Sequence, residues 1–141
     1  MRGFALEAAS VLTITWLGLR SLGFRRWQRL LTRVMPAAPN TFEASESLLD
    51  RCRAIARIEQ SVARRLPFQS NCLDQSLVLW WMLRRRGMAA EMHIGGRKDA
   101  ANFEAHAWVE VGSYTFPEMS GGHRPFTPFD GPIESVETQT R

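Results

Sequence analysis

Ser70-Asn71-Cys72-Leu73-Asp74-Gln75-Ser76-Leu77 is the stretch whose reading decides the fold. A polar, turn-prone Ser-Asn pair stops just before a cysteine, and an apolar helical pattern then runs from Leu73 to Leu83. That places Cys72 in the first turn of a buried helix. The first turn of a helix carries unpaired backbone N–H groups and the positive end of the helix dipole. Both favour a thiolate, which is the nucleophilic form of cysteine. The helix is expected to run to Arg86 and stop at Gly87, a good terminator. Arg84, Arg85 and Arg86 then sit where cations suit the dipole, and they need no functional explanation. Trp80, Trp81, Leu77 and Leu83 are expected to fill the core side.

Downstream the period changes from helical to alternating. Ala90, Met92 and Ile94 alternate with Ala89, Glu91 and His93 as a half-buried strand. Gly95 to Asn102 reads as a polar turn, and Phe103 to Val111 as a second strand. Gly112-Ser113 is a two-residue hairpin signal, so Tyr114 to Glu118 follows as a third strand antiparallel to the second. Beyond Met119 the chain is rich in Gly, Pro and polar residues; Phe126 and Phe129 are expected to pin it to the body, and residues 132–141 read as a loose tail.

Upstream, Met1 to Val34 reads as helical, with Gly18 and Gly23 as possible breaks. The apolar run Ala8 to Leu19 is too short for a membrane span and continues into an arginine-rich stripe, so it reads as an amphipathic packing helix rather than a signal peptide. Met35 to Asn40, with Pro36 and Pro39, is a linker. Thr41 to Leu66 is a second helical region, capped at Thr41 or Ser45. Cys52 lies on its apolar stripe and reads as a small core residue. Helices first and strands after give an α+β class.

The 141 residues suffice for one domain with a helical extension. Two cysteines do not make a disulfide scaffold, and a reduced, cytoplasmic setting is the simpler expectation. Residues 1–66 carry a net charge of +6 and residues 67–141 a net of −2. The basic half suits an acidic partner, anionic lipid or nucleic acid, or is simply a solvated helix face. There is no zinc pattern and no phosphate-binding glycine loop, so neither metal nor cofactor is expected.

A cysteine attacks a carbonyl well when a base lies within hydrogen-bond reach and is itself oriented. Of three histidines, His106 has the best context: it lies mid-strand between Ala105 and Ala107, whose small side chains leave room. His93 lies near a strand end on the face of Glu91 and is expected to be exposed; His123 lies in the Gly-rich tail. For the orienting group, the Gly112-Ser113 turn brings residue 106 opposite positions 118–119, where Glu118 falls. Glu110 shares the face of His106, but at four residues' remove it lies about 13 Å along the strand.

These residues resemble the lasso-peptide leader peptidases, the processing proteins of microcin-type biosynthesis and a branch of the transglutaminase-like cysteine peptidases. The resemblance rests on Arg64-Arg65-Leu66-Pro67 leading to Asn71-Cys72-Leu73, on Ser76 to Gly87 with its Trp80-Trp81 pair, on Ile94-Gly95, and on Ala105-His106-Ala107-Trp108-Val109-Glu110. It covers about residues 45–120. It implies a transglutaminase/papain-like core with the cysteine helix packed on a small antiparallel sheet, preceded by amino-terminal helices. Residues 1–40 would be an extension and linker, 41–131 the peptidase domain, and 132–141 the tail.

The resemblance also implies the chemistry. Cys72 would be the nucleophile, His106 the base, and Glu118 would stand where the family usually has an aspartate. The backbone N–H of Cys72 would donate to the oxyanion, with Gln69 a candidate second donor. The reaction would free the core of a precursor peptide from its leader, after which a separate ATP-using cyclase, similar to asparagine synthetases, would close the macrolactam. With no room for a leader-binding domain before residue 41, the chain resembles the split form that works with a separate leader-binding protein. No nucleic acid is expected as a partner; residues 1–34 offer a docking or membrane-surface face. The alternatives are a transglutaminase-like acyl transferase, and a non-catalytic scaffold that binds peptide or membrane.

Overall fold

The computed structural model describes residues 2–37, 45–99, 102–116 and 127–128. Its elements are α1 (Arg2–Leu22), α2 (Phe24–Val34), α3 (Glu46–Ala63), α4 (Cys72–Arg84), β1 (Ala90–Asp99), β2 (Asn102–Val111), β3 (Tyr114–Phe116) and β4 (Thr127–Pro128). The strands form one antiparallel sheet in the order β3-β2-β1-β4.

The central element is α4. It packs against α1 and α3 and against β1 and β2. Its sequence demands this position. Leu77, Val78, Leu79, Trp80, Met82 and Leu83 are buried, so apolar side chains occupy nearly every side, and a helix apolar all round is stable only when enclosed. Trp80 donates from Nε1 to the Ala90 carbonyl at 3.1 Å, which satisfies the one polar atom of the largest buried side chain. Trp81 is only half-buried, at the rim, with Arg85 over its ring. The opposite wall of the core comes from Ala90, Met92, Ala107, Val109 and Val111 on the sheet and Leu12, Leu49 and Cys52 on the outer helices.

The helix ends slightly earlier than its sequence suggests. Arg85 to Gly87 form a turn; Gly87 has φ +75°, and Met88 N–H bonds back to the Leu83 carbonyl. The left-handed glycine allows the chain to reverse and satisfy the last carbonyls. The three arginines do more than complement a dipole. Arg84 is buried and donates to the Pro36 carbonyl at 2.9 Å. Arg86 forms an ion pair with Glu7 of α1, and Arg85 lies 3.8 Å from the same carboxylate.

Of the two expected breaks in the amino-terminal helix, Gly23 is real, with φ +77°. Gly18 stays helical and buried, because the Trp27 ring of α2 lies directly over it. A Cβ at position 18 would overlap that ring. Alanine normally stabilises a helix interior relative to glycine by about 1 kcal/mol. Here Gly18→Ala should instead destabilise the fold by about 1–3 kcal/mol through overpacking, a change of sign that urea denaturation reads directly.

Ser45 caps α3, its hydroxyl accepting from the Leu48 N–H at 3.3 Å. Cys52 is fully buried, as its place on the stripe implies, and its thiol contacts Met88 Sδ. The Gly112-Ser113 turn joins β2 and β3 as expected, with φ +62° at Gly112. The stretch expected to turn at Gly95 does not. Gly95 and Gly96 are paired strand residues, opposite His106 and Ala105 on one side and Pro128 and Thr127 on the other. Pairing on both edges outweighs the weak strand preference of glycine. Phe126, Phe129 and the tail at 132–141 lie outside the described residues, as does Glu118 at the expected end of the third strand.

Candidate active site

The first turn of α4 is built by a reciprocal cap. The Asn71 side chain accepts from the Asp74 N–H at 2.9 Å, and Asp74 Oδ2 accepts from the Asn71 N–H at 2.9 Å. This capping box consumes the donors of positions 71 and 74. The N–H groups of Cys72 and Leu73 have no carbonyl four residues back within the helix, and the capping box does not use them. The cysteine therefore sits beside two available donors, and its side chain is exposed.

The loop before it is held from both sides. Gln75 Nε2 donates to the Ser70 carbonyl and hydroxyl at 3.2 and 3.1 Å. The Phe68 ring packs on Trp16 of α1 at 4.7 Å between centroids. Arg20 covers the other part of this corner, with its guanidinium over Trp16 and 3.9 Å from Asp74 Oδ2.

Ser76, one turn into α4, donates from Oγ to the Ala107 carbonyl at 2.9 Å. That buried bond fixes the helix against β2 one residue beyond His106. Between the elements opens a cleft of about 350 Å³, its mouth included, lined by Glu59 and Gln60 from α3, by Cys72, Gln75, Ser76 and Leu79 from α4, and by His106 and Ala107 from β2. Cys72 and His106, 34 positions apart in the chain, thus share one cleft. Ser76→Ala removes the tether and should cost about 1–2 kcal/mol of stability, measurable by chemical denaturation.

Two other expectations meet a different arrangement. His93 is buried, not exposed: its ring stacks on Trp108 at 5.8 Å, and Nε2 lies 3.4 Å from Glu110 Oε2. Its register partner is Trp108, so the two side chains share a sheet face, and the large indole covers the imidazole. Glu110 is committed elsewhere, accepting from Trp108 Nε1 at 2.8 Å. Gln69 is exposed and does not line the cleft; Gln60 and Gln75 do. His106 itself is half-buried, its ring 6.5 Å from that of Trp108 and nearly parallel to it. Glu118 and His123 lie outside the described residues.

The residue that sequence reading missed is Glu59. It is 2% exposed, and its Oε1 has no hydrogen-bond partner among the described residues. Burial alone pushes its carboxyl up to about 8, so it is largely protonated at neutral pH. The signal was present in the chain: Glu59 falls on the buried stripe of Cys52, Ile55, Ala56, Val62 and Ala63, at helical spacing.

The arrangement of cleft, helix-start cysteine and strand histidine sits within residues 16–129, and those residues match the family model of the transglutaminase-like superfamily. The chain belongs to the transglutaminase-like superfamily. No curated protein and no solved structure matches it. The α+β architecture, with the cysteine on a helix packed against an antiparallel sheet, is that of a transglutaminase-like core. Membership points to cysteine-peptidase or acyl-transfer chemistry. Among the described residues, no helix is long and apolar enough to cross a membrane.

Proposed function

We propose that this transglutaminase-like protein is a cysteine peptidase that removes the leader from a lasso-peptide precursor before macrolactam closure. The observation that carries the reading is the shared cleft of Cys72 and His106. The Arg64 to Pro67 approach, the Trp80-Trp81 helix and the Ala105 to Glu110 strand support the choice of substrate by their resemblance to the leader peptidases.

In this mechanism the Cys72 thiolate attacks the scissile carbonyl, and the carbonyl oxygen takes up negative charge. The Cys72 N–H, left free by the capping box, donates to that oxygen. His106, having taken the thiol proton, gives it to the departing amine, which leaves as the new amino terminus of the core. His106 then takes a proton from water, whose oxygen attacks the thioester and releases the leader as a free acid. Glu118 is assigned to hold the imidazole. A separate leader-binding protein presents the precursor, and the basic α1–α2 face is its docking surface. An asparagine-synthetase-like cyclase consumes the freed amine.

Mass spectrometry of a precursor incubated with this protein and a leader-binding partner tests the reading. Hydrolysis gives two fragments whose masses sum to precursor plus one water. Superfamily membership also accommodates acyl transfer; in that case a supplied amine is joined to the leader, and no free leader acid accumulates.

A further inference from the structure

Glu59 is a buried acid whose Oε1 finds no hydrogen-bond partner among the described residues. It lines the cleft of Cys72 and His106. A polar atom left unpaired in the interior costs free energy, so its retention there calls for a ligand that completes it. The other polar side chains of α4 in the cleft have their hydrogens in use. Gln75 donates to Ser70, and Ser76 donates to the Ala107 carbonyl. Gln60 is only half-buried.

We propose that Glu59 stands protonated in the resting cleft and donates its O–H to the oxygen of the acyl group held at Cys72. This rests on Cys72 being the acyl acceptor. It makes Glu59 the second donor beside the Cys72 N–H. A neutral acid kept dry by its surroundings is a stronger donor than a solvated hydroxyl and carries no charge to repel a developing oxyanion. Ionisation would abolish the donor and place a negative charge against that oxygen.

Among the described residues, the titratable groups that line the cleft with Glu59 are Cys72 from α4 and His106 from β2. Charges on the packed helices pair with one another. On α1, Glu7 pairs with Arg86 and Arg20 lies near Asp74; on α3, Arg53 pairs with Asp50. The rise in the Glu59 carboxyl has burial as its cause.

The test is the affinity of a peptide aldehyde ending at the last leader residue, which forms a tetrahedral adduct with the cysteine thiol, measured from pH 6.5 to 9.5. The wild-type protein should lose binding as Glu59 ionises, by about tenfold or more relative to Glu59→Gln, whose amide N–H donates at every pH. Glu59→Ala should bind weakly throughout. Circular dichroism of each variant reports its folding. Equal pH dependence in wild type and Glu59→Gln, or wild-type affinity in Glu59→Ala, overturns the assignment. A wild-type protein that forms no adduct at Cys72 at any pH overturns the peptidase reading, and this proposal with it; an adduct at Cys72 with unchanged behaviour of the Glu59 variants overturns this proposal alone.

Discussion

Cys72→Ala is expected to lower precursor cleavage by on the order of 10⁴-fold or more, because removing the nucleophile of a cysteine–histidine pair leaves only binding and oxyanion stabilisation. The fold should survive the change. Cys72 is exposed, and the cap that starts α4 is made by Asn71 and Asp74. His106→Ala should cost about 10²–10⁴-fold in the same assay, the range for loss of a general base. Cys52 cannot substitute. It is fully buried against Met88, and burial raises its thiol, so little of it is thiolate at neutral pH. Iodoacetamide should accordingly modify Cys72 in the folded protein and leave Cys52 intact. Cleavage by Cys72→Ala at the wild-type rate would exclude the enzyme mechanism and favour a scaffold.

The second large effect is on stability. The Glu59 carboxyl titrates near 4.5 when unfolded and at about 8 when folded. Between those values the folded chain holds a proton that the unfolded chain has lost. The contribution of Glu59 is therefore intact below pH 4.5 and is lost as pH rises through about 8. The slope is at most about 1.4 kcal/mol per pH unit, and the total loss is about 3–5 kcal/mol by the top of the window. Glu59→Gln cannot ionise. Urea denaturation of both proteins at pH 5, 6, 7 and 8 should show the wild type losing stability relative to the variant at each step. A constant difference across the series would mean that Glu59 is already ionised at the low end.

Glu59 also marks where the sequence was legible and where it was not. The start of α4 could be read because Asn71 precedes an unbroken apolar helical pattern, and the break at Gly23 and the turn at Gly112 because both sites use φ values that favour glycine. These are local signals. Gly95-Gly96 read as a turn for the same local reason, yet it is a strand, because two neighbouring strands supply its hydrogen bonds. The burial of His93 depends on Trp108 being its register partner, and Arg84 is buried because Pro36 offers it a carbonyl 48 residues away. Glu59 broke the rule that a charged residue marks the wet side of a helix: its stripe pointed inward, and its charge is held off by protonation. The misses at Gly95-Gly96, His93 and Arg84 each involve a partner distant in sequence, and the one at Glu59 a burial set by the packing of whole helices. The cleft itself was half visible, since Cys72 and His106 each stood out locally, while Glu59, on a helix that reads as structural, did not.

The most direct measurement is the mass of the protein quenched in acid during turnover of its precursor. The account predicts a covalent adduct equal to the leader's acyl mass, mapped by proteolysis to the peptide containing Cys72 and absent in Cys72→Ala. An adduct on Cys52, or rapid cleavage with no acyl-enzyme even when His106→Ala slows its breakdown, would contradict it.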